Sequence, residues 1–181
     1  MINEKKLVEG CIAGKPDYQK MLYDRFADAM FVICKRYTKN SAEAEDMLQD
    51  VFIKVFLNLS KYRFESSLGF WIKRLTINTL ISHQRKKCVE NFQVDMEEVQ
   101  YDLPVVMPET ESFIPMDVLM EMVSSLPDGY RTVFNLREID GYEFEEIARI
   151  LQCTNSTVRS QLFKAKTTLK KKIEEWMKGE I

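Results

Sequence analysis

The sequence predicts an all-α protein, two small helical domains joined by an acidic linker. Three observations carry that expectation. Glycine and proline are scarce, at 6 and 5 of 181 residues, which favours long helices over a turn-rich β-protein. Apolar residues recur at spacings of three and four through most of the chain. Charge is partitioned. Residues 61–90 carry seven Lys/Arg against two acids, residues 91–128 nine acids and no Lys or Arg, and residues 157–181 seven basic residues against three acids. Two basic regions thus flank an acidic one, and the formal net charge of −2 conceals both.

The bulk properties exclude several classes. Hydrophobic residues at 45% and charged residues at 30% are the balance of a soluble globular protein. The opening "MINEKKLVEG" lacks the apolar core of a signal peptide, and no apolar run approaches the ~18 residues that span a bilayer. Cys11, Cys34, Cys88 and Cys153 are scattered without a CxxC pair, so reduced thiols of a cytoplasmic protein fit better than a zinc site or a disulfide framework. His83, in "SHQRKK", has no Cys or His partner at helical spacing and reads as a polar surface residue. There is no P-loop and no nucleophile with a histidine base, so neither an enzyme nor a cofactor is expected.

The first predicted helix lies in residues 17–38, where Leu22, Phe26, Ala29, Ile33 and Tyr37 share a face. "KNSA" then offers Asn40 or Ser41 as an N-cap, with Glu43 completing a capping box on Asn40. The next helix, "AEAEDMLQDVFIKVFLNL", has Ala44, Leu48, Val51, Phe52, Val55 and Leu59 as its core stripe. Asp46, Asp50 and Ile53 fall opposite, with Gln49 at the edge. Acids near a helix start complement the macrodipole, but Ile53 among them points to a docking patch. "SKYRFESS" is a polar, basic and aromatic loop. After it, "LGFWIKRLTINTLISHQRKK" is apolar on two sides, Leu68, Trp71 and Leu75 on one and Phe70, Ile77 and Ile81 on another, as a central bundle helix would be. Residues 91–115 hold three prolines and most of the acidic segment, and read as a linker.

A second helical domain, residues 116–181, starts near Met116. "LPDGYRTVFNLREIDG" reads as a helix entered near Pro127 and closed by Gly141. A helix pair follows. Ile147, Ala148 and Leu151 point inward from the first member, "QCTNS" breaks the pair with Asn155 or Ser156 as N-cap, and Val158, Leu162, Ala165 and Leu169 form the inner stripe of the second. The outer face of that second helix then carries Ser156, Arg159, Ser160, Phe163, Lys164 and Thr167. An exposed aromatic among Arg, Ser and Lys suits a major groove, where Arg forks onto guanine and an aromatic rests on a thymine methyl. Lys170, Lys171 and Lys172 would meet phosphates.

Taken together these segments resemble the sigma-70 family of bacterial RNA polymerase sigma factors, nearest to its compact extracytoplasmic-function (ECF) group. "AEAEDMLQDVFIKVF" looks like the family's D-A-E-D-hydrophobic-hydrophobic-Q-E-x-F segment. "YRFESSLGFWIKRLTINTLISHQRKK" is similar to its F-x-x-x-S-S-F-x-x-W-L-x-x-I-A-x-N segment with a basic end. "LPDGYRTVFNLREIDGYEFEEIARILQCTNSTVRSQLFKAKTTLKK" looks like its C-terminal helix-turn-helix domain. The family commonly has Gly where this chain has Gln152. If that position needs positive φ, Gln there costs up to about 1 kcal/mol.

The resemblance implies a region 2-like domain over residues 1–90, the acidic linker over 91–115 and a region 4-like domain over 116–181. It implies that Asp46, Gln49, Asp50 and Ile53 dock on the clamp coiled coil of the polymerase's largest subunit, with the flap as a further core contact. The loop holding Tyr62, Arg63, Phe64, Ser66 and Ser67 would grip a flipped base of the minus-ten element. Lys73, Arg74 and Asn78 would contact the strand beside it, and Arg85, Lys86 and Lys87 would track phosphates. Trp71 belongs to the core. Ser156, Thr157, Arg159, Ser160, Phe163, Lys164 and Thr167 would read the minus-thirty-five element as duplex. The linker is either an RNA mimic in the polymerase channel or a solvated tether. The implied partners are polymerase core, promoter DNA and an anti-sigma factor that could hold the protein at the membrane, with no small-molecule substrate, no membrane insertion and no metal. A free-standing helix-turn-helix regulator would explain residues 116–181 alone, and a helical adaptor would bind only protein.

Overall fold

The chain begins with a short helix beyond those the apolar spacing predicts. In the computed structural model the described residues are 3–88 and 114–179, the side chains of 85–88 excepted. Helix α1 (Glu4–Ile12) starts at Asn3, whose side chain accepts from the Lys5 N–H at 3.1 Å. Leu7, Val8, Gly10 and Cys11 are its buried side. A Cβ on Gly10 would sit 2.3 Å from the Tyr18 ring, so glycine is what permits the close approach to the next helix.

Helix α2 (Pro16–Tyr37) opens with proline in its first turn, where a missing N–H costs nothing. Leu22, Ala27, Met30, Ile33, Cys34 and Tyr37 are buried, while Phe26 is half-buried and Ala29 exposed. The buried arc is centred nearer Met30 and Cys34 than the sequence stripe suggests, which leaves Ala29 at its edge. Helix α3 (Ser41–Asn58) is capped by Asn40, which accepts from the Glu43 N–H at 2.8 Å. Glu43 answers one residue further back, accepting from the Lys39 N–H at 3.1 Å. Ala44, Met47, Leu48, Val51, Phe52 and Val55 are buried, as is Leu59 in the 3-10 turn Leu59–Lys61.

After the loop 62–67 comes α4 (Leu68–Cys88). Leu68, Ile72, Ile77, Leu80 and Ile81 are buried, and buried Thr76 is satisfied by the Ile72 carbonyl at 2.9 Å. Phe70, expected among its core residues, is 59% exposed, and Trp71 and Leu75 are half-buried.

The described chain clusters into two compact units, Met1–Ser82 and His83–Ile181. In the second, α5 (Met116–Ser124), α6 (Asp128–Phe134) and α7 (Phe144–Leu151) all pack on the long α8 (Asn155–Met177). Met122, Leu126, Ala165, Leu169 and Ile173 form its core, and Ile114 already packs against them. The segment from Pro127 to Gly141 is not one α-helix. After Phe134 it widens into a π-helical turn, Asn135–Ile139, before Gly141 reverses the chain at φ +76. Arg131 is 1% exposed and pins the α5–α6 corner. It donates to the Ser124 and Leu126 carbonyls at 2.7 and 3.0 Å and pairs with Asp128 at 2.5 Å.

Candidate nucleic-acid and polymerase interfaces

Helix α3 has one uninterrupted solvent-facing stripe. Asp46, Gln49, Asp50 and Ile53 are all exposed. Ile53 is 56% exposed, and Leu57, one turn further on, is 72% exposed. Leu57 was legible as the next position of the same stripe, four residues after Ile53, yet the core pattern draws attention away from it. Two acids are thus followed along one stripe by two exposed aliphatics, which solubility alone does not call for.

The loop 62–67 is held from both sides. Tyr62 is 6% exposed, and its hydroxyl lies 2.6 Å from the Ser66 carbonyl and 2.8 Å from the Glu4 carboxylate. The same Glu4 oxygen accepts from the Leu68 N–H at 3.3 Å, so one acid on α1 binds the loop and the first turn of α4. Ser67 caps that turn, accepting from the Phe70 N–H at 3.3 Å. Burial, followed by the hydrogen bond and charge of Glu4, pushes the Tyr62 hydroxyl up to about 12.

Tyr62 was expected to offer its ring to DNA. It is instead the loop's buried anchor, because its hydroxyl finds two partners inside. Phe64 is the aromatic left outside, 47% exposed, with φ +59 and its ring 4.6 Å from that of Tyr62. Trp71 backs the cluster at 5.6 Å from Tyr62. Arg63, Glu65, Ser66 and Ser67 are exposed, as are Arg74, Asn78 and the unanticipated Phe70 on α4; Lys73 is half-buried. The side chains of Arg85, Lys86 and Lys87 lie outside the described residues.

In the second unit, α7 and α8 form the helix-turn-helix. Glu143 and Glu146 make a reciprocal capping box at the start of α7. Gln152 ends the helix at φ 58, ψ 42, so this position does take the left-handed conformation. The N–H groups of Gln152 and Cys153 both donate to the Ala148 carbonyl. The N-cap of α8 is Thr154, accepting from the Thr157 N–H at 3.1 Å, and not Asn155 or Ser156. Asn155 turns back to Glu145 at 3.2 Å instead.

Val158, Leu162, Ala165 and Leu169 are buried as the stripe predicts. Ser156, Arg159 and Thr167 are exposed, while Thr157, Phe163 and Lys164 are half-buried. Ser160 is 5% exposed and is not part of an open reading face. The reason is packing. Three helices rest on α8, so its buried arc is wider than the stripe of a simple helical hairpin and takes in Ser160 and Gln161. Arg159 stands out. Its guanidinium lies 4.4 Å from the centre of the Phe144 ring, and Arg137 lies 4.6 Å from the same ring.

A helix-turn-helix in the second unit is the fold of a DNA-binding protein, and the first unit sets a strained aromatic loop beside a basic helix. Residues 22–88 match the family model for Sigma-70 region 2, and residues 116–169 match that for Sigma-70, region 4. The chain belongs to the sigma-70 family of RNA polymerase sigma factors. Within that family its full-length relatives place it in the ECF group. It is 27% identical over 187 aligned positions to the ECF RNA polymerase sigma-E factor of Haemophilus influenzae, covering 97% of this chain and 98% of that one. To the ECF RNA polymerase sigma-E factor of Escherichia coli it is 27% identical over 185 positions, covering 96% and 95%. Its fold resembles that of the sigma factor RpoE of Bartonella quintana, solved in complex with the anti-sigma factor NepR. The TM-score is 0.53 at 20% identity, over 86% of this chain and 96% of that one. Among the described residues no helix is long and apolar enough to cross a membrane, and no group of three His, Cys, Asp or Glu could hold a metal ion.

Proposed function

We propose that this ECF sigma factor engages polymerase core through the α3 stripe Asp46, Gln49, Asp50, Ile53 and Leu57, and reads its promoter at two separate sites. The observation that carries the core contact is the exposed pair Ile53 and Leu57 in line with two acids. The acids steer the approach to a basic partner helix, and the aliphatics supply the buried centre. The flap is a further core contact, made by the region 4-like unit.

At the minus-ten element, the exposed Phe64 ring and its neighbours Arg63, Ser66 and Ser67 hold an unstacked base, with Tyr62 as the fixed floor. Arg74, Asn78, Lys73 and Phe70 line the strand's path, and Arg85, Lys86 and Lys87 take phosphates. At the minus-thirty-five element, Arg159, Ser156, Thr157, Phe163, Lys164 and Thr167 face the duplex. Binding energy drives melting through capture of unstacked bases, so the factor needs no catalytic group or cofactor of its own. It acts in the cytoplasm, and an anti-sigma factor covers these faces until a signal releases it. The structurally similar RpoE, solved with NepR, supports that partner class. The acidic linker, residues 91–115, carries either RNA mimicry or mere reach; replacing its acids by Ser and measuring promoter escape separates the two.

The test is reconstitution with purified core on genomic promoter fragments. Promoter-specific transcripts should require the protein, and Ile53→Arg should weaken co-elution with core by about 2 kcal/mol or more while leaving the helical spectrum unchanged. Tight sequence-specific binding to promoter DNA without core would favour a free-standing regulator instead.

A further inference from the structure

We infer that Phe144 is a positioning residue for Arg159, presenting its guanidinium to a base edge. The inference rests on the proposed reading of the minus-thirty-five element by α8. Arg159 is exposed, and its recorded contact is with the Phe144 ring, at 4.4 Å, with no hydrogen bond or ion pair among the described residues. A long exposed arginine left alone samples many rotamers and loses that freedom on binding. Stacking on a ring removes part of the loss in advance. The ring takes none of the guanidinium's N–H donors as a hydrogen-bond partner, so the fork stays free to meet the two acceptors of a guanine.

Phe144 can serve as a platform because it is itself fixed. It occupies the first turn of α7, next to the capping box of Glu143. Arg137, from the π-helical turn, lies 4.6 Å from the same ring. That arginine is tied down by the Tyr142 carbonyl at 2.9 Å and by the Glu143 carboxylate at 2.8 Å. Glu143 compensates the Arg137 charge, which leaves the Arg159 charge for an anionic partner. One anchored ring therefore contacts both an anchored arginine and a free one. Three segments, the π-helical turn, α7 and α8, converge on one side chain that reads DNA.

The test uses polymerase holoenzyme and a promoter library randomised across the minus-thirty-five element, with transcripts sequenced to give the preference at each base. Arg159→Ala should lose roughly tenfold or more of the preference at one position. Phe144→Leu, which keeps an apolar residue, should lose roughly two- to fivefold at that same position and none elsewhere. Phe144→Tyr, which keeps the ring, should match the parent. In the Arg159→Ala background, Phe144→Leu should add nothing. Should Phe144→Leu perturb folding, seen as a lowered melting temperature, Phe144→Met supplies the same comparison. Equal loss from every library member, or losses that multiply in the double variant, would overturn the positioning role while the reading by Arg159 stands. Should Arg159→Ala leave every preference unchanged, the reading itself fails and the inference fails with it.

Discussion

Phe64 and Gln152 share a positive φ, 59 and 58, and neither is glycine. Each sits in a turn, one in each unit. The left-handed region costs an L-residue roughly 1–2 kcal/mol, so each turn holds strain that its surroundings must offset. The surroundings differ. Gln152 follows the last turn of α7, and what its conformation secures is backbone, two N–H groups on the Ala148 carbonyl. Its side chain is exposed. Any residue that tolerates positive φ would serve, glycine best. At Phe64 the conformation places a ring beside Tyr62 with nearly half its surface outside. Strain at Gln152 secures backbone alone, whereas strain at Phe64 also sets the place of a half-exposed ring, the one the proposed base capture would use.

The largest effect that separates the two is at Phe64. Phe64→Gly relieves the backbone but removes the ring. Open-complex formation should fall by roughly tenfold to a hundredfold, the worth of about 1–3 kcal/mol for stacking one base on an aromatic. Stability should stay level or rise slightly. Permanganate reactivity of the melted bases, read beside a thermal melt, checks both at once. If opening survives while stability rises, Phe64 is the same kind of residue as Gln152 and the distinction collapses.

Next in size is the anchor behind Phe64. Glu4→Ala strips the Leu68 N–H and the Tyr62 hydroxyl of their shared acceptor, a loss of about 1–3 kcal/mol in the first unit. Glu4→Gln keeps an acceptor and should recover most of it. Hydrogen exchange at the Leu68 amide reports the effect directly. An unchanged exchange rate in Glu4→Ala would mean the loop is held by Tyr62 and Ser66 alone.

That anchor also marks where the sequence stopped being readable. The inner stripes of α3 and α8 were legible residue by residue, because burial there follows a local 3.6-residue period. Asn40, one of two candidate caps with Ser41, is also decided within a few positions, whereas the left-handed turn at Gln152 was signalled only by the glycine the family commonly has there. Glu4 and Tyr62 are 58 positions apart, and no local pattern announces their bond. Helix α1 itself escaped because it is short and polar, and its burial depends on Gly10 meeting Tyr18. Ser160 was misplaced because the width of a buried arc depends on how many helices rest on it. The pairing of Arg159 with Phe144 likewise needs two helices in place before it exists.

A smaller effect, of opposite sign, belongs to the architectural turn. Gln152→Gly removes roughly 1–2 kcal/mol of strain but adds about 0.4–1 kcal/mol of unfolded-chain entropy to be lost on folding. The net is a stabilisation of up to about 1.5 kcal/mol, seen as a rise in the melting temperature of the second unit. Promoter preference should not move. A stability loss would show that the Gln152 side chain contributes something beyond its backbone.

A last effect, seen only at high pH, is a pH dependence confined to the loop's floor. Tyr62 ionises near 10 when unfolded and is pushed up to about 12 in the fold, chiefly by burial and then by Glu4. The folded state therefore keeps a proton that the unfolded state gives up first. This contribution is fully present below pH 10 and is lost as pH rises towards 12. Lysines titrate over the same range, so the whole-protein curve cannot isolate it, but the difference between the parent and Tyr62→Phe can. Phenylalanine cannot ionise, and the variant should lose less stability than the parent between those limits, while sacrificing at neutral pH the hydroxyl's bonds to Glu4 and Ser66. The two curves should converge as pH rises. Parallel curves would mean the hydroxyl is no more protected in the fold than in the open chain, and the floor beneath Phe64 would then be looser than its packing implies.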